Sequence, residues 1–241
     1  MTKKAIILAG GLGTRLRSAI GDLPKPMADI AGRPFLEYLL DYLIENDFKK
    51  VILSVGYKAE IIISHFGRNY KSIDIKYSIE NEPLGTGGAI KKAIKKLDNS
   101  DDYFFVLNGD TFFDIPLDEL LEFHVQRKAV ITIAFKSMED STRYGSVLLD
   151  DSNRIIGFIE KGTFKNCLIN GGIYVMNIEI FKSLDLPDKF SFEKDLLEAY
   201  YKKILFCGKN FNKYFIDIGV PEDYERFKEK IRRYKKWGNI L

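Results

Sequence analysis

Apolar residues along the first half of the chain fall in two alternating kinds of segment. Strand-like runs lie near 4–9, 50–55, 73–79 and 103–108. Between them, Phe35, Leu36, Leu39, Leu40 and Leu43 follow Pro34 at a spacing that puts them on one helical face. Ala89, Ile90, Ala93, Ile94 and Leu97 do the same in a helix expected to start near Thr86 as N-cap. Ala59 to Phe66 reads as a shorter helix. Strand alternating with helix predicts an α/β fold: a Rossmann-like, mostly parallel mixed sheet with helices on both faces. In such sheets ligands bind beyond the carboxyl ends of the strands. Two loops occupy such ends: Gly10–Arg17 and Asn108-Gly109-Asp110.

The second half is richer in strands, predicted near 129–136, 144–149, 154–160, 169–176 and 204–208. Helices are predicted at 178–184, 191–202 and 221–236, and Asp151-Ser152-Asn153 reads as a hairpin turn. No repeat, low-complexity tract or long linker interrupts the pattern. The expectation is one domain over 1–241, with an alternating first half (about 1–128) and a strand-rich second half (129–241).

Composition narrows the field. Hydrophobic content of 46% and charged content of 29% are those of an ordinary globular protein. The balance of 37 basic and 34 acidic residues, net +3, gives no reason to expect nucleic acid. No run approaches the roughly 18 apolar residues of a membrane span, and the short apolar run after Lys3-Lys4 is no signal peptide, so no membrane partner is expected. Cys167 and Cys207 match neither zinc nor redox spacing; buried free thiols in a reducing cytoplasm are the expectation.

The candidate chemistry starts at the first strand end. The apolar run through Leu8 and Ala9 leads into Gly10, Gly11 and Gly13, then Thr14, Arg15 and Arg17. Glycines let a backbone turn sharply and approach a ligand, successive N–H groups can form an anion nest, and arginine adds a forked donor. The loop either cradles phosphates or is simply a strand-ending turn; it matches neither the P-loop nor the third glycine of the dinucleotide fingerprint. Lys25, between Pro24 and Pro26, sits where the prolines bar a helix; it reads as a phosphate-neutralising group or as a solvated loop lysine. Asp110, just past the apolar run ending at Asn108, is placed either for a hard cation such as magnesium or for a plain turn. Asp217, the single acid in Tyr214–Gly219, is either its natural partner, because a charge in an apolar strand is costly unless paired or metal-bound, or an exposed strand-end acid.

A second glycine-rich loop, Glu80 to Gly88, joins strand to helix, with Gly85 and Thr86 beside the acid. Its glycines would admit a flat base, and a carboxylate at Glu80 can accept from the N1–H and amino group of guanine. A tight strand–helix connection explains the loop equally well. Arg143-Tyr144-Gly145, Glu160-Lys161 and Ile169-Asn170-Gly171-Gly172 offer polar groups with glycine gaps, suited to a hydroxyl-rich ligand or to ordinary hairpins. His124 reads as a structural helix residue, and no nucleophile–His arrangement stands out.

In order, these segments resemble the sugar-1-phosphate nucleotidyltransferases, or nucleotide-sugar pyrophosphorylases. The pieces G-G-x-G-T-R-L, K-P-M, L-G-T-G-G-A, N-G-D, E-K, N-G-G-I-Y and D-I-G-x-P-E-D-Y span residues 10 to 224. F-I-D-I-G-V-P-E-D-Y and the Glu80–Gly88 loop are most similar to the branch that loads heptose 1-phosphates from GTP for bacterial surface polysaccharide. The resemblance implies that Leu8, Ala9, Gly10, Gly11, Gly13, Thr14 and Arg15 meet the nucleotide, and that Arg15 and Lys25 serve catalysis. It also assigns Glu80, Gly85, Thr86, Asn108 and Asp110 to the nucleotide, and Asp110 and Asp217 to Mg2+. Tyr144, Gly145, Glu160, Lys161, Asn170 and Gly171 fall to the sugar. GTP and a sugar 1-phosphate are the implied substrates, and a homodimer remains an option. The long carboxyl-terminal β-helix of some relatives is not expected, nor its acetyltransferase activity. Alternatives are a mannose- or glucose-1-phosphate transferase using GTP, UTP, dTTP or CTP, a cytidylyltransferase for a phosphorylated alcohol, and a non-catalytic nucleotide-sugar sensor.

Overall fold

The computed structural model describes residues 3–97, 102–140, 143–160, 162 and 165–233. Strand β1 (Lys4–Ala9) lies at the centre of the large sheet, parallel to β2 (Lys50–Val55) on one side and to β4 (Tyr103–Asn108) on the other. β3 (Ile73–Ile79) extends the parallel run beyond β2. Past β4 the sheet turns antiparallel, through β9 (Lys165–Asn177) to β7 (Ser146–Leu149) and β8 (Ile155–Ile159). β6 (Ile131–Asp140) also pairs with β9, and β10 (Phe206–Asn210) runs parallel to β6. Two short strands, β5 (Thr111–Phe113) and β11 (Phe215–Asp217), form a separate antiparallel pair.

β1, β2 and β4 are buried on both faces, which is why they read as continuous apolar runs, whereas β3 alternates buried and exposed positions. From β1, Ala5, Ile7 and Ala9 enter one apolar layer while Ile6 enters the other. The first layer is closed by α1 (Phe35–Glu45), α2 (Ala59–Phe66) and α6 (Pro221–Arg233), through Leu39, Leu43, Ile62 and Phe227. The second is closed by α3 (Gly85–Ala93) and by a helix of π type over Phe192–Glu198, through Ile90, Ala93, Phe192 and Leu196. Each such Leu, Ile or Phe side chain, fully buried, contributes about 1.5–3 kcal/mol of transfer free energy. Further helices are α4 (Leu117–Arg127), α5 (Ile180–Ser183) and a single α-helical turn over Arg17–Ile20.

The structure corrects several expectations. α3 starts at Gly85, and Thr86 does not cap it: its hydroxyl donates to Glu193 Oε2 (2.7 Å) and accepts from Phe192 N–H (2.9 Å). The prolines around Lys25 do not bar helical geometry, since Lys25–Met27 forms one 3-10 turn. Proline is tolerated there because a first turn needs no N–H donor. The helix expected at 191–202 is of π type over Phe192–Glu198, and 169–176 is the later part of a 13-residue strand. At the hairpin, Asp150 Oδ1 accepts from Ser152 N–H and Arg154 N–H, each at 2.9 Å, while Asn153 takes φ 64°. Both cysteines are buried and free. Among the described residues no helix is long and apolar enough to cross a membrane.

Candidate active site

The carboxyl ends of β1, β2, β3 and β4 surround a cleft of about 610 Å³. Leu8, Gly10, Gly11, Glu80, Gly85, Thr86, Asn108 and Asp110, all expected from the sequence, line it. Backbone packing dictates the glycines. A Cβ on Gly10 would lie 2.7 Å from Glu80 Oε1, and one on Gly109 would lie 2.5 Å from Leu8 O. Gly109 N–H instead donates to Leu8 O at 2.9 Å, which fixes Asp110 just beyond the end of β1. Gly11 meets nothing within 4 Å and is exposed, so its backbone faces open space at the cleft wall.

Gly13 adopts φ +59°, and its Cα side packs on Lys25, whose Cβ would be 3.2 Å from an added Cβ. The glycine turn thus lies against the lysine that the sequence placed behind it. Lys25 Nζ reaches Asp110 Oδ2 at 2.6 Å. Thr14 and Arg15 form an exposed single 3-10 turn above. Ala9 is buried and supports the loop without lining the cleft.

Asp110 and Asp217 meet although 107 residues separate them. In the β5–β11 pair Asp217 stands opposite Thr111, and Ile218 N–H donates to Asp110 O at 2.9 Å. Burial, and then the neighbouring Asp110 charge, push the Asp217 carboxyl above the usual range; Gly219 N–H, Lys25 and Arg15 pull the other way. Gly219 N–H donates to Asp217 Oδ1 at 2.7 Å. Two carboxylates in mutual repulsion, with Lys25 and Arg15 close by, form a donor set suited to magnesium, which takes one or two protein carboxylates and completes its shell with phosphate and water.

Glu80 is held in the cleft wall, its Oε1 accepting from Ser54 Oγ and its Oε2 from Leu84 N–H, each at 3.2 Å. The sugar-side positions divide. Asn170 donates to the buried Tyr174 hydroxyl at 2.8 Å and accepts from Gly172 N–H at 2.9 Å. Tyr174 also bonds Asn108, so this network ties β9 to the strand that leads to Asp110. Burial and then the Asp217 charge raise the Tyr144 pKa, so Tyr144 stands in the field of Asp217. Arg143 donates to the Tyr144 hydroxyl at 3.1 Å and to the buried Asp223 of α6. Gly145 lies beside the Ile159 carbonyl and Gly171 is buried against the Phe113 ring, while Glu160 is exposed. None of these sugar-side positions lines the cleft itself. Lys161 lies outside the described residues.

Sequence reasoning missed Leu12, Gly56, Tyr57, Ala89 and Glu193 as cleft residues, and named Asn81, Glu82 and Pro83 only as part of a loop. Gly56 and Tyr57 follow β2, so the strand-end rule could have found them. Glu193 carried no local signal, because its place depends on a contact across 107 residues with Thr86.

Comparison with known proteins places the chain among relatives of the same fold. The family described as nucleotidyl transferase matches residues 4–233. The chain is 48% identical over 231 residues to D-glycero-alpha-D-manno-heptose 1-phosphate guanylyltransferase of Aneurinibacillus thermoaerophilus, covering 96% of this chain and 99% of that protein. It is 51% identical over 224 residues to the protein of the same name from Campylobacter jejuni, covering 93% and 98%. Among solved structures, HddC from Yersinia pseudotuberculosis complexed with GMP-PN superposes with a TM-score of 0.84 at 40% identity, over 95% of this chain and 100% of that one.

Proposed function

The chain belongs to the nucleotidyl transferase family, and from that premise we propose that it transfers a guanylyl group from GTP to D-glycero-α-D-manno-heptose 1-phosphate. The heptose reading is supported by 48% and 51% identity, over nearly the whole chain, to two enzymes named for that reaction. An oxygen of the sugar phosphate attacks the α-phosphorus of GTP. The new P–O bond forms as the bond to the β-phosphate oxygen breaks, giving GDP-heptose and pyrophosphate. The product is an activated sugar of the kind consumed in surface polysaccharide synthesis.

The observation that carries this reading is the meeting of Asp217 and Lys25 with Asp110, which lines the cleft together with Gly10 and Gly11. The nucleophile is already an anion, so no strong base is required; the barrier lies in bringing two anions together. Lys25 binds phosphate charge by exchanging its Asp110 contact for a phosphate oxygen. Arg15 and the N–H groups of the glycine turn stabilise the departing pyrophosphate, and Glu80 accepts from the guanine edge. Asp110 and Asp217 would hold magnesium, which supplies charge neutralisation and a template for the phosphates when bound. The chain's own contribution is fixed positioning and electrostatics.

Pyrophosphate release from GTP and the heptose phosphate tests the reading. Lys25→Ala removes one fixed donor and should lower turnover by about 10²–10³ with the fold intact. Near-normal release by the purified variant would refute the role of Lys25. A panel in which UTP, dTTP or CTP outruns GTP, or mannose 1-phosphate outruns heptose 1-phosphate, would refute the substrate assignment.

A further inference from the structure

Resting on the nucleotidyltransferase reading, we propose that Glu193 is a ligand-binding carboxylate of the cleft that accepts hydrogen bonds from a vicinal diol, supplied by the nucleotide ribose or by the sugar ring. Glu193 lines the cleft together with Thr86, Asn108 and Asp110. Thr86 Oγ1 donates to its Oε2 at 2.7 Å and Ser191 Oγ donates to the same oxygen at 3.1 Å. Both hydrogen bonds that the carboxylate accepts from described residues therefore fall on one oxygen. Oε1 keeps its full acceptor capacity, and a carboxylate has no donor to offer.

That fixes the chemistry of the match. A carboxylate repels phosphate and pairs with neutral donors, of which hydroxyl groups are the ones both substrates carry. Glu80 differs, because Ser54 and Leu84 engage both of its oxygens. The charges of Glu193 and Asp110 both act on the buried Tyr174 hydroxyl, which Asn108 and Asn170 bond. Glu193 and Asp110 line the same cleft, in which ribose and sugar must approach the phosphates.

The local backbone is built for the placement. Glu193 lies in the first turn of the π-type helix, which sends Phe192, Leu196 and Leu197 into the core. Such helices recur at functional sites because the wider turn re-aims side chains. Gly87 N–H donates to Phe190 O at 3.0 Å and Phe190 N–H to Leu84 O at 3.0 Å, so the segment leading into Glu193 is laced to the start of α3. Thr86, whose hydroxyl both donates and accepts within the chain, is a positioning residue for Glu193.

The test compares wild type, Glu193→Ala, Glu193→Gln and Thr86→Val. Binding of GTP and of 2′,3′-dideoxy-GTP is read by equilibrium dialysis, and the two KM values by pyrophosphate release. Losing hydrogen bonds to a charged acceptor should weaken one substrate by about 10–100-fold, with kcat changed far less. In the ribose arm, wild type prefers GTP to the dideoxy analogue, and Glu193→Ala binds both alike. In the sugar arm, only the KM for heptose 1-phosphate rises. Thr86→Val should show a smaller shift in the same substrate. Should Glu193→Ala fail to fold, Glu193→Gln carries the measurement. A folded Glu193 variant with both KM values and the GTP preference unchanged overturns the proposal. A wild type that binds GTP in preference to its dideoxy analogue, with that preference lost in Glu193→Ala but no pyrophosphate released, overturns the reaction instead and leaves Glu193 standing.

Discussion

Acid should destabilise this protein through one histidine. His124 of α4 is fully buried; its Nδ1 lies 2.8 Å from Thr132 Oγ1, its Nε2 has no hydrogen-bond partner among the described residues, and its ring meets Tyr103 edge-on at 5.1 Å. Burial pushes its pKa down from 6.5 to about 4. Below pH 6.5 the unfolded chain takes up a proton that the folded chain refuses until about pH 4, so stability is complete above the first value and drains away toward the second. At about 1.4 kcal/mol per pH unit, the gap bounds the loss near 3 kcal/mol, and at pH 5 about 2 kcal/mol has gone. For a chain of this size that corresponds to a fall of roughly 4–8 °C in melting temperature. Thermal unfolding followed by circular dichroism from pH 7.5 to pH 5 reads this directly. His124→Leu supplies the reference: it should be less stable at pH 7.5, by about 1–3 kcal/mol for the abandoned Thr132 hydroxyl, yet flatter across the range. With only two histidines in the chain, few groups compete in this window. A variant whose pH slope equals that of wild type would refute the reasoning.

Three further outcomes are expected. Asp217→Asn keeps the acceptor for Gly219 N–H but removes a buried charge in repulsion with Asp110; turnover should fall by about 10²–10³ while the melting temperature holds or rises by a few degrees, and a lower melting temperature would contradict the electrostatic account. Glu80→Gln preserves shape and the Leu84 contact but offers guanine a poorer acceptor, so the kcat/KM preference for GTP over other nucleotides should shrink by about tenfold or more; an unchanged preference would move base recognition elsewhere. Gly87→Ala puts a Cβ 2.1 Å from the Phe190 ring and should cost about 1–3 kcal/mol in denaturant unfolding; full stability would show that this contact yields freely.

The parallel half was legible because β1, β2 and β4 are buried on both faces, β3 alternates buried and exposed residues, and the helices bury one face. The runs at 4–9, 50–55, 73–79 and 103–108 appear with those limits. The acid pair was legible too, since Asp110 follows a strand and Asp217 interrupts apolar sequence. Helix α4 was glimpsed only at His124; its exposed face carries much of its charge, which dilutes the apolar period. The glycines of the Glu80–Gly88 loop misled in part. Gly87 and Gly88 are required by Phe190 and Asp188, whose backbone and ring they touch, and not by open cleft. Thr86 looked like a cap because only its chain neighbours were visible, whereas its partners Phe192 and Glu193 come from far along the sequence.

Strand β9 has a mechanical consequence. Its early residues, Leu168 and Ile169, ladder to β7, and its later ones, Ile173 to Asn177, ladder to β4. β6 pairs with both halves, up to Asn170 and again from Tyr174 to Met176, with a register irregularity between them; a bend there would have to tear the β6 ladder, so β6 splints the two halves of β9. Any gating of the cleft must then be local, carried by the turns at the strand ends, while the two reactants dock on a frame whose spacing is set before either arrives.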